Sequence, residues 1–240
     1  MTTDTPATAT ISVTTGAKPT TDAPRPTTTP APTGATTGAP SAAPGRSFLF
    51  VLGSSRSDGN TEILARAAAA HLPPGTPQRW VDLNRLSLPD FQDGRHETTG
   101  WPSEGDEELL RQATLEATDI VIASPLYWYT VSAQTKRYLD YWSGWLNVPG
   151  SDFAERMAGR TLWGVTAMAH DEHVVTDGLT TTLRFSAAYL RMRFGGVLAG
   201  TGSRPGRVRA DEEAMLRAET FFQGETPLAV FPYERETAGV

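Results

Sequence analysis

The sequence predicts an α/β domain, a five-stranded parallel sheet with helices packed on both faces. Three observations carry this. Strand-like and helix-like stretches alternate five times between Ser47 and Phe222. The runs Phe48–Leu52 and Ile120–Ala123 are apolar at every position, as strands covered on both faces are, rather than at every second one. Repeated strand–helix units impose parallel pairing with right-handed crossovers.

The first strand is "SFLFVLG" (Ser47–Gly53). "NTEILARAAAAHL" follows as an Ala- and Leu-rich helix, stopped by Pro73, Pro74 and Gly75. "QRWVDL" (Gln78–Leu83) is a short second strand, and "NRLSLPDFQDGRHETTGWP" is a long loop. "SEGDEELLRQATLEA" (Ser103–Ala117) is an amphipathic helix whose acidic first turn suits a helix N-terminus. "DIVIASP" (Asp119–Pro125) is the third strand and "SAQTKRYLDYWSGWL" (Ser132–Leu146) the third helix. "RTLWGVTA" (Arg160–Ala167), a helix from about Asp177 to Arg193, the strand "GGVLAGTG" (Gly195–Gly202) and the helix "ADEEAMLRAETFF" complete the series.

Met1 to Arg46 stands apart. It is dominated by Thr, Pro and Ala and has no large apolar residue after Ile11 and Val13, so it cannot bury enough surface to offset the entropy of ordering it. The expected organisation is a disordered tail over 1–46, one domain over 47–224 and a C-terminal tail over 225–240. The start has neither the basic residues nor the apolar run of a signal peptide. No stretch approaches the ~18 consecutive apolar residues of a membrane span. The absence of cysteine excludes disulfides, thiolate nucleophiles and Cys-ligated metal centres, and fits a cytoplasmic protein. Net charge is −6; the N-terminal tail carries Lys18, Arg25 and Arg46 against Asp4 and Asp22, so the rest of the chain holds −7, the wrong sign for a general nucleic-acid binder.

Five strand–helix units are compatible with the sheet order 2-1-3-4-5, which binds ligands at the carboxyl ends of the strands where the order reverses. There the ends of strands one and three are neighbours. After strand one comes "GSSRSDGNT". Ser54, Ser55, Ser57, Asn60 and Thr61 offer hydroxyl and amide groups, the next helix offers free N–H groups, and Arg56 offers a bidentate cation. This composition suits a phosphate monoester. It equally describes a serine-rich turn whose Asn60 or Asp58 caps the helix. The loop lacks the lysine of a P-loop and the spacing of GxGxxG, which sets a phosphotransferase last. After strand three comes "SPLYWYTVSAQTK". Leu126, Tyr127, Trp128, Tyr129 and Val131 crowd a place normally solvated and polar. They suit a flat aromatic ligand such as a flavin; a core beneath the loops or a subunit interface are the other readings.

"GSSRSDGNT" and "SPLYWYTVSAQTKRYLD" resemble the NAD(P)H-dependent FMN reductase family, of flavodoxin-like fold, nearest the branch of iron–sulfur flavoproteins. The resemblance spans Ser47 to Gly202 in organisation and is specific in these two motifs. It implies that Ser54, Arg56, Ser57, Asn60 and Thr61 contact the FMN phosphate. It implies that Pro125, Leu126, Tyr127, Trp128, Tyr129 and Val131 line the flavin ring. The cysteine cluster of the iron–sulfur branch is missing from "NRLSLPDFQDGRHETTG", so a flavin-only relative is implied. The loop "TAMAHDEHVVTDG" follows strand four, where the fold also borders the flavin; Met168 and His170 are its candidates. His170, Asp171 and His173 match no zinc spacing, so no metal is expected.

The implied function is an FMN-dependent NAD(P)H oxidoreductase. Hydride passes from NADPH or NADH to flavin N5, then to a quinone, a free flavin or a similar flat acceptor, with no catalytic side chain required. An electron carrier that binds FMN without NAD(P)H turnover is the alternative, and a protein that kept the fold but lost the cofactor is a third. Tyr138, Tyr141, Trp142 and Trp145 fall on one helical stripe. They pack on the sheet or form a homodimer interface; the interface is preferred because the family implied is usually dimeric, and a homodimer or higher homo-oligomer is expected.

Overall fold

In the computed structural model, residues 45–94, 101–169 and 172–233 are described. The sheet is that expected: β1 (Phe48–Leu52), β2 (Gln78–Asp82), β3 (Asp119–Ala123), β4 (Thr161–Met168) and β5 (Arg193–Thr201) run parallel in the order β2-β1-β3-β4-β5. Every residue of β1 and β3 is buried, which explains their unbroken apolarity. One face carries α1 (Asn60–Ala69) and α6 (Glu212–Thr220). The other carries α2 (Gly105–Glu116), α3 (Ala133–Trp145), a short α4 (Phe153–Met157) and α5 (Asp177–Tyr189). Among the described residues no helix is long and apolar enough to cross a membrane.

β1 and β3 end flush where the site lies: Leu52 pairs with Ala123, so their loops leave the sheet side by side. β4 runs three residues past Val165, the partner of Ala123, to Met168. Trp163 of β4 is fully buried and lies across Gly195 of β5. A β-carbon on Gly195 would sit 2.1 Å from the indole, so only glycine admits that ring.

Four features differ from the expectation. The aromatic stripe of α3 is interior. Tyr138 OH meets Thr114 Oγ1 at 2.9 Å, Tyr141 OH donates to the Pro89 carbonyl at 2.8 Å, and Trp145 Nε1 donates to Glu107 at 2.9 Å. α2, α4 and the long loop cover it, so it is no subunit interface. Burial accordingly pushes the Tyr138 phenol far above its usual range. Second, α4 was not foreseen; five residues are too few to show a period.

Third, α5 stops at Tyr189 rather than Arg193. Arg191, at φ +54, takes the left-handed position usually held by glycine. Met192 N–H bonds to Ala187 O at 2.8 Å and Arg191 N–H to Ala188 O at 3.2 Å, which is a Schellman closure. Fourth, both domain edges extend past the expected limits. Arg46, placed at the end of the tail, forms a bidentate pair with buried Asp119 (3.1 and 2.6 Å) and donates to Phe222 O at 2.6 Å. At the other end, Phe194 N–H bonds to Pro227 O at 3.0 Å and Ala229 N–H to Met192 O at 2.9 Å, so part of the expected C-terminal tail pairs antiparallel with β5.

Two expected outcomes concern stability. Among the described residues, Arg46→Ala leaves the Asp119 carboxylate, 3% exposed, held only by Trp163 Nε1 and the Thr118 hydroxyl. Urea unfolding should show a loss of about 2–3 kcal/mol. Glu108 accepts bonds from Arg111 (2.7 and 2.6 Å), which lower its carboxyl from 4.5 to about 2. A depressed carboxyl stabilises the fold above its unfolded value and loses that contribution as pH falls through the folded one. The stability difference between the wild type and Glu108→Gln should therefore shrink as pH falls from 4.5 toward 2. An unchanged difference would show that the pair adds nothing.

Candidate functional site

The loop after β1 is held from three sides. The Ser132 hydroxyl, fully buried at the N-terminus of α3, donates to Gly53 O at 2.5 Å. A β-carbon on Gly53 would lie 1.9 Å from Thr135 Oγ1, so the strand exit is packed directly against α3. Asn84, just after β2, donates its amide to Ser54 O and accepts from Gln134 at 3.3 Å. Asn60 donates to Gly202 O at 2.6 Å and Arg204 O at 2.8 Å, and accepts from Val208 N–H at 3.4 Å.

The capping alternative does not hold. The residue before α1 is Gly59, and no side chain caps the helix; Asn60 is turned toward the segment after β5. The first intrahelical bond runs from Ile63 N–H to Gly59 O at 3.0 Å. The N–H groups of Asn60, Thr61 and Glu62 therefore lack helical acceptors and carry the positive end of the helix dipole. Asn60 contributes that N–H, because its side-chain amide is fully used. Thr61 is buried, and its hydroxyl has no partner among the described residues. Ser54 Oγ accepts from Arg56 N–H at 3.1 Å and shapes the turn. Ser57 and Arg56 are exposed, and the Arg56 guanidinium pairs with no acid among the described residues. The loop thus presents exposed and backbone donors side by side.

The loop after β3 closes as a tight turn. Tyr127 N–H bonds to Thr130 O at 3.1 Å and Thr130 N–H to Tyr127 O at 3.2 Å. The two residues between are left-handed, Trp128 at φ +48 and Tyr129 at φ +66, a type I′ geometry normally built from Asn and Gly. Each bulky residue held there costs about 1–2 kcal/mol. Trp128 is nevertheless 92% exposed. Ser55 Oγ lies 3.3 Å from Tyr127 OH and joins this turn to the first loop. Behind it, a β-carbon on Gly178 would lie 2.4 Å from Tyr129 O, so α5 approaches the turn backbone to backbone.

Leu126, Trp128, Tyr129 and Met168 line a cavity of about 210 Å³ between the loops after β3 and β4. Of the residues implied for the flavin ring, these four come together. Tyr127 bridges to the first loop instead. Pro125 is buried at the strand exit, and Val131 lies in the main core under the loop, so the core reading applies to Val131. His170 and Asp171 lie outside the described residues, as does the side chain of His173. Among the described residues no cluster of His, Asp and Glu suits a metal ion. Asn84, Ser132 and Gly178 were missed; their roles depend on which loops meet, and nothing in their local sequence signals it.

A family model described as "flavodoxin-like fold" matches residues 46–220. A Bacillus subtilis (strain 168) protein, provisionally named as the NAD(P)H-dependent FMN-containing oxidoreductase YwqN, is 29% identical over 170 residues, covering 69% of this chain and 91% of its own length. Among solved structures, the Trp repressor binding protein from Bacillus subtilis superposes with a TM-score of 0.57 at 22% identity, over 72% of this chain and 96% of that one. An azoreductase from Bacillus anthracis strain Sterne superposes with a TM-score of 0.53 at 18% identity, over 73% and 99%. With the family model covering most of its length, and the sheet order and switch-point loops in place, the chain belongs to the flavodoxin-like fold family.

Proposed function

We propose that the protein is an FMN-dependent NAD(P)H oxidoreductase whose acceptor is a quinone, a free flavin or a similar flat molecule. The name of the Bacillus subtilis relative supports the reading. The observation that carries it is the aromatic turn. Trp128 and Tyr129 are held left-handed, largely exposed and beside a cavity, one hydroxyl contact from an uncapped helix end. Strain of this kind clusters at ligand-binding sites and persists only where the surroundings enforce it.

The residues present fit FMN. The free N–H groups of α1 and the Arg56 guanidinium suit a phosphate dianion. Leu126, Trp128, Tyr129 and Met168 suit a planar apolar ring. A bound FMN supplies hydride exchange between a reduced nicotinamide and the acceptor. The protein's part is positional. The latched loop fixes the phosphate, and the fixed phosphate sets where the ring lies along the turn. Buried Met168 and half-buried Leu126 form a wall without water-binding groups, while exposed Trp128 offers a face on which a second flat molecule can stack. No side chain is asked to move a proton.

Purified protein incubated with FMN and freed of excess should keep a flavin absorption spectrum, bleached by NADPH or NADH without oxygen. A retained spectrum unchanged by either nicotinamide would replace the reductase with an electron carrier, and no retained flavin would remove the reading altogether. Arg56→Ala should weaken FMN by about tenfold and leave riboflavin, which lacks the phosphate, unchanged. Trp128→Gly should separate strain from function. It should raise stability by about 1 kcal/mol, since glycine takes the left-handed position freely, and weaken FMN and riboflavin alike.

A further inference from the structure

The loops after β1 and β3 are joined at two levels. Deep in the fold, fully buried Ser132 ties Gly53 O to the Ser124 hydroxyl. At the surface, Ser55 Oγ lies 3.3 Å from Tyr127 OH, within hydrogen-bond reach, and both residues are exposed. This upper bond joins immediate neighbours of the two candidate binding elements. Ser55 stands between Ser54 and Arg56 in the loop after β1. Tyr127 stands between Leu126 and Trp128, both of which line the aromatic cavity.

Neither hydroxyl is needed to shape its own loop. The turn at Trp128 and Tyr129 is closed by the backbone bonds between Tyr127 and Thr130. The loop after β1 is held by Asn84 at Ser54 O and shaped by the Ser54 hydroxyl. The bond between Ser55 and Tyr127 is internal to neither loop, and two exposed side chains lose rotamer freedom in making it. What it does is span from one loop to the other. A molecule with its phosphate at the start of α1 and its ring in the cavity must carry its linking chain from the first loop to the second, past this bond.

We propose that Ser55 and Tyr127 form a latch across that linking chain, which sets the rate of flavin exchange and keeps FMN bound between turnovers. The inference rests on the flavin reading of the site. The molecules that come and go in each cycle are then the nicotinamide and the acceptor. The latch is made of protein groups alone, so it must part for the flavin to enter as well as to leave. Its signature is therefore kinetic. A side chain that contacts the flavin slows release and strengthens binding, as most affinity differences lie in the dissociation rate. A latch slows entry and release together and leaves the dissociation constant nearly unchanged. One neutral hydrogen bond corresponds to about three- to tenfold in each rate.

The test is stopped-flow flavin fluorescence on the full chain, with Tyr127→Phe, Ser55→Ala and the two combined. Each change removes one hydroxyl from an exposed position. FMN association and dissociation should both quicken by about three- to tenfold, with Kd within about twofold of the wild type. The double variant should match the singles, because all three lose the same bond. Riboflavin, which has the linking chain but no phosphate, should show the same acceleration. Arg56→Ala is the contrast, since it acts on Kd for FMN and not on riboflavin. Unchanged rates overturn the latch, and so do accelerations that multiply in the double variant. Faster release with unchanged association and a weaker Kd overturns it too, and makes Tyr127 a plain flavin contact. If the wild type binds flavin and the variants exchange it at the wild-type rate, only the latch fails; if the wild type binds no flavin, the flavin reading and the latch fail together.

Discussion

One buried hydroxyl ties the site together. Ser132 Oγ donates to Gly53 O at 2.5 Å, its N–H bonds to Ser124 Oγ at 2.9 Å, and its oxygen accepts from Thr135 N–H at 3.2 Å. The end of β1, the end of β3 and the start of α3 thus meet at a fully buried residue. A buried polar group that loses a partner incurs the desolvation cost of that group, about 1–3 kcal/mol. The two loops therefore cannot separate without exposing a network that is satisfied only when they are together. Gly53 completes the constraint, since any side chain there would occupy the space of Thr135.

From that junction the two halves of the site are built by different physics. The half proposed for the phosphate is polar and made rigid by side chains bonded to backbone. Asn84 and Asn60 hold the loop by its carbonyls and neighbours, and the donors left over are backbone N–H groups. The ring half is apolar, and its turn is strained. Trp128 and Tyr129 remain left-handed because the paired bonds of Tyr127 and Thr130 close the turn and α5 presses on it at Gly178. Ordinary turn residues would form the same hairpin at lower energy. What they would not provide is a large flat side chain at the mouth of a cavity.

The fold was legible because its strands are buried on both faces, so Phe48–Leu52 and Ile120–Ala123 had no alternation to mislead. The loops stood out because their composition is unusual for solvated turns. What escaped was what depends on contacts distant in sequence. Arg46 lies among Pro, Ala and Gly, and it is Asp119, 73 residues on, and the Phe222 carbonyl that make it structural. Arg191 occupies a glycine position, so the end of α5 had no local mark. The spacing of Tyr138, Tyr141, Trp142 and Trp145 defined one face of α3 but could not say that α2, α4 and the long loop would cover it. Asn60 was assigned to the ligand by its type, whereas its amide serves the segment after β5.

The same contact of Asn60 bears on how affinity is distributed. The domain's excess of acid makes the approach of a flavin phosphate unfavourable at long range, so attraction must be local. Unpaired Arg56 in the first loop provides it, and Asn60 ties the start of α1 to the segment after β5. Charge therefore anchors the phosphate end, where the backbone is rigid. The aromatic turn, which adds no charge, is left to discriminate by shape. A ligand with the phosphate but no planar ring gains only the first contribution, and a planar ring without phosphate only the second. Both are needed for tight binding, and the buried hydroxyl of Ser132 keeps the two at a fixed separation.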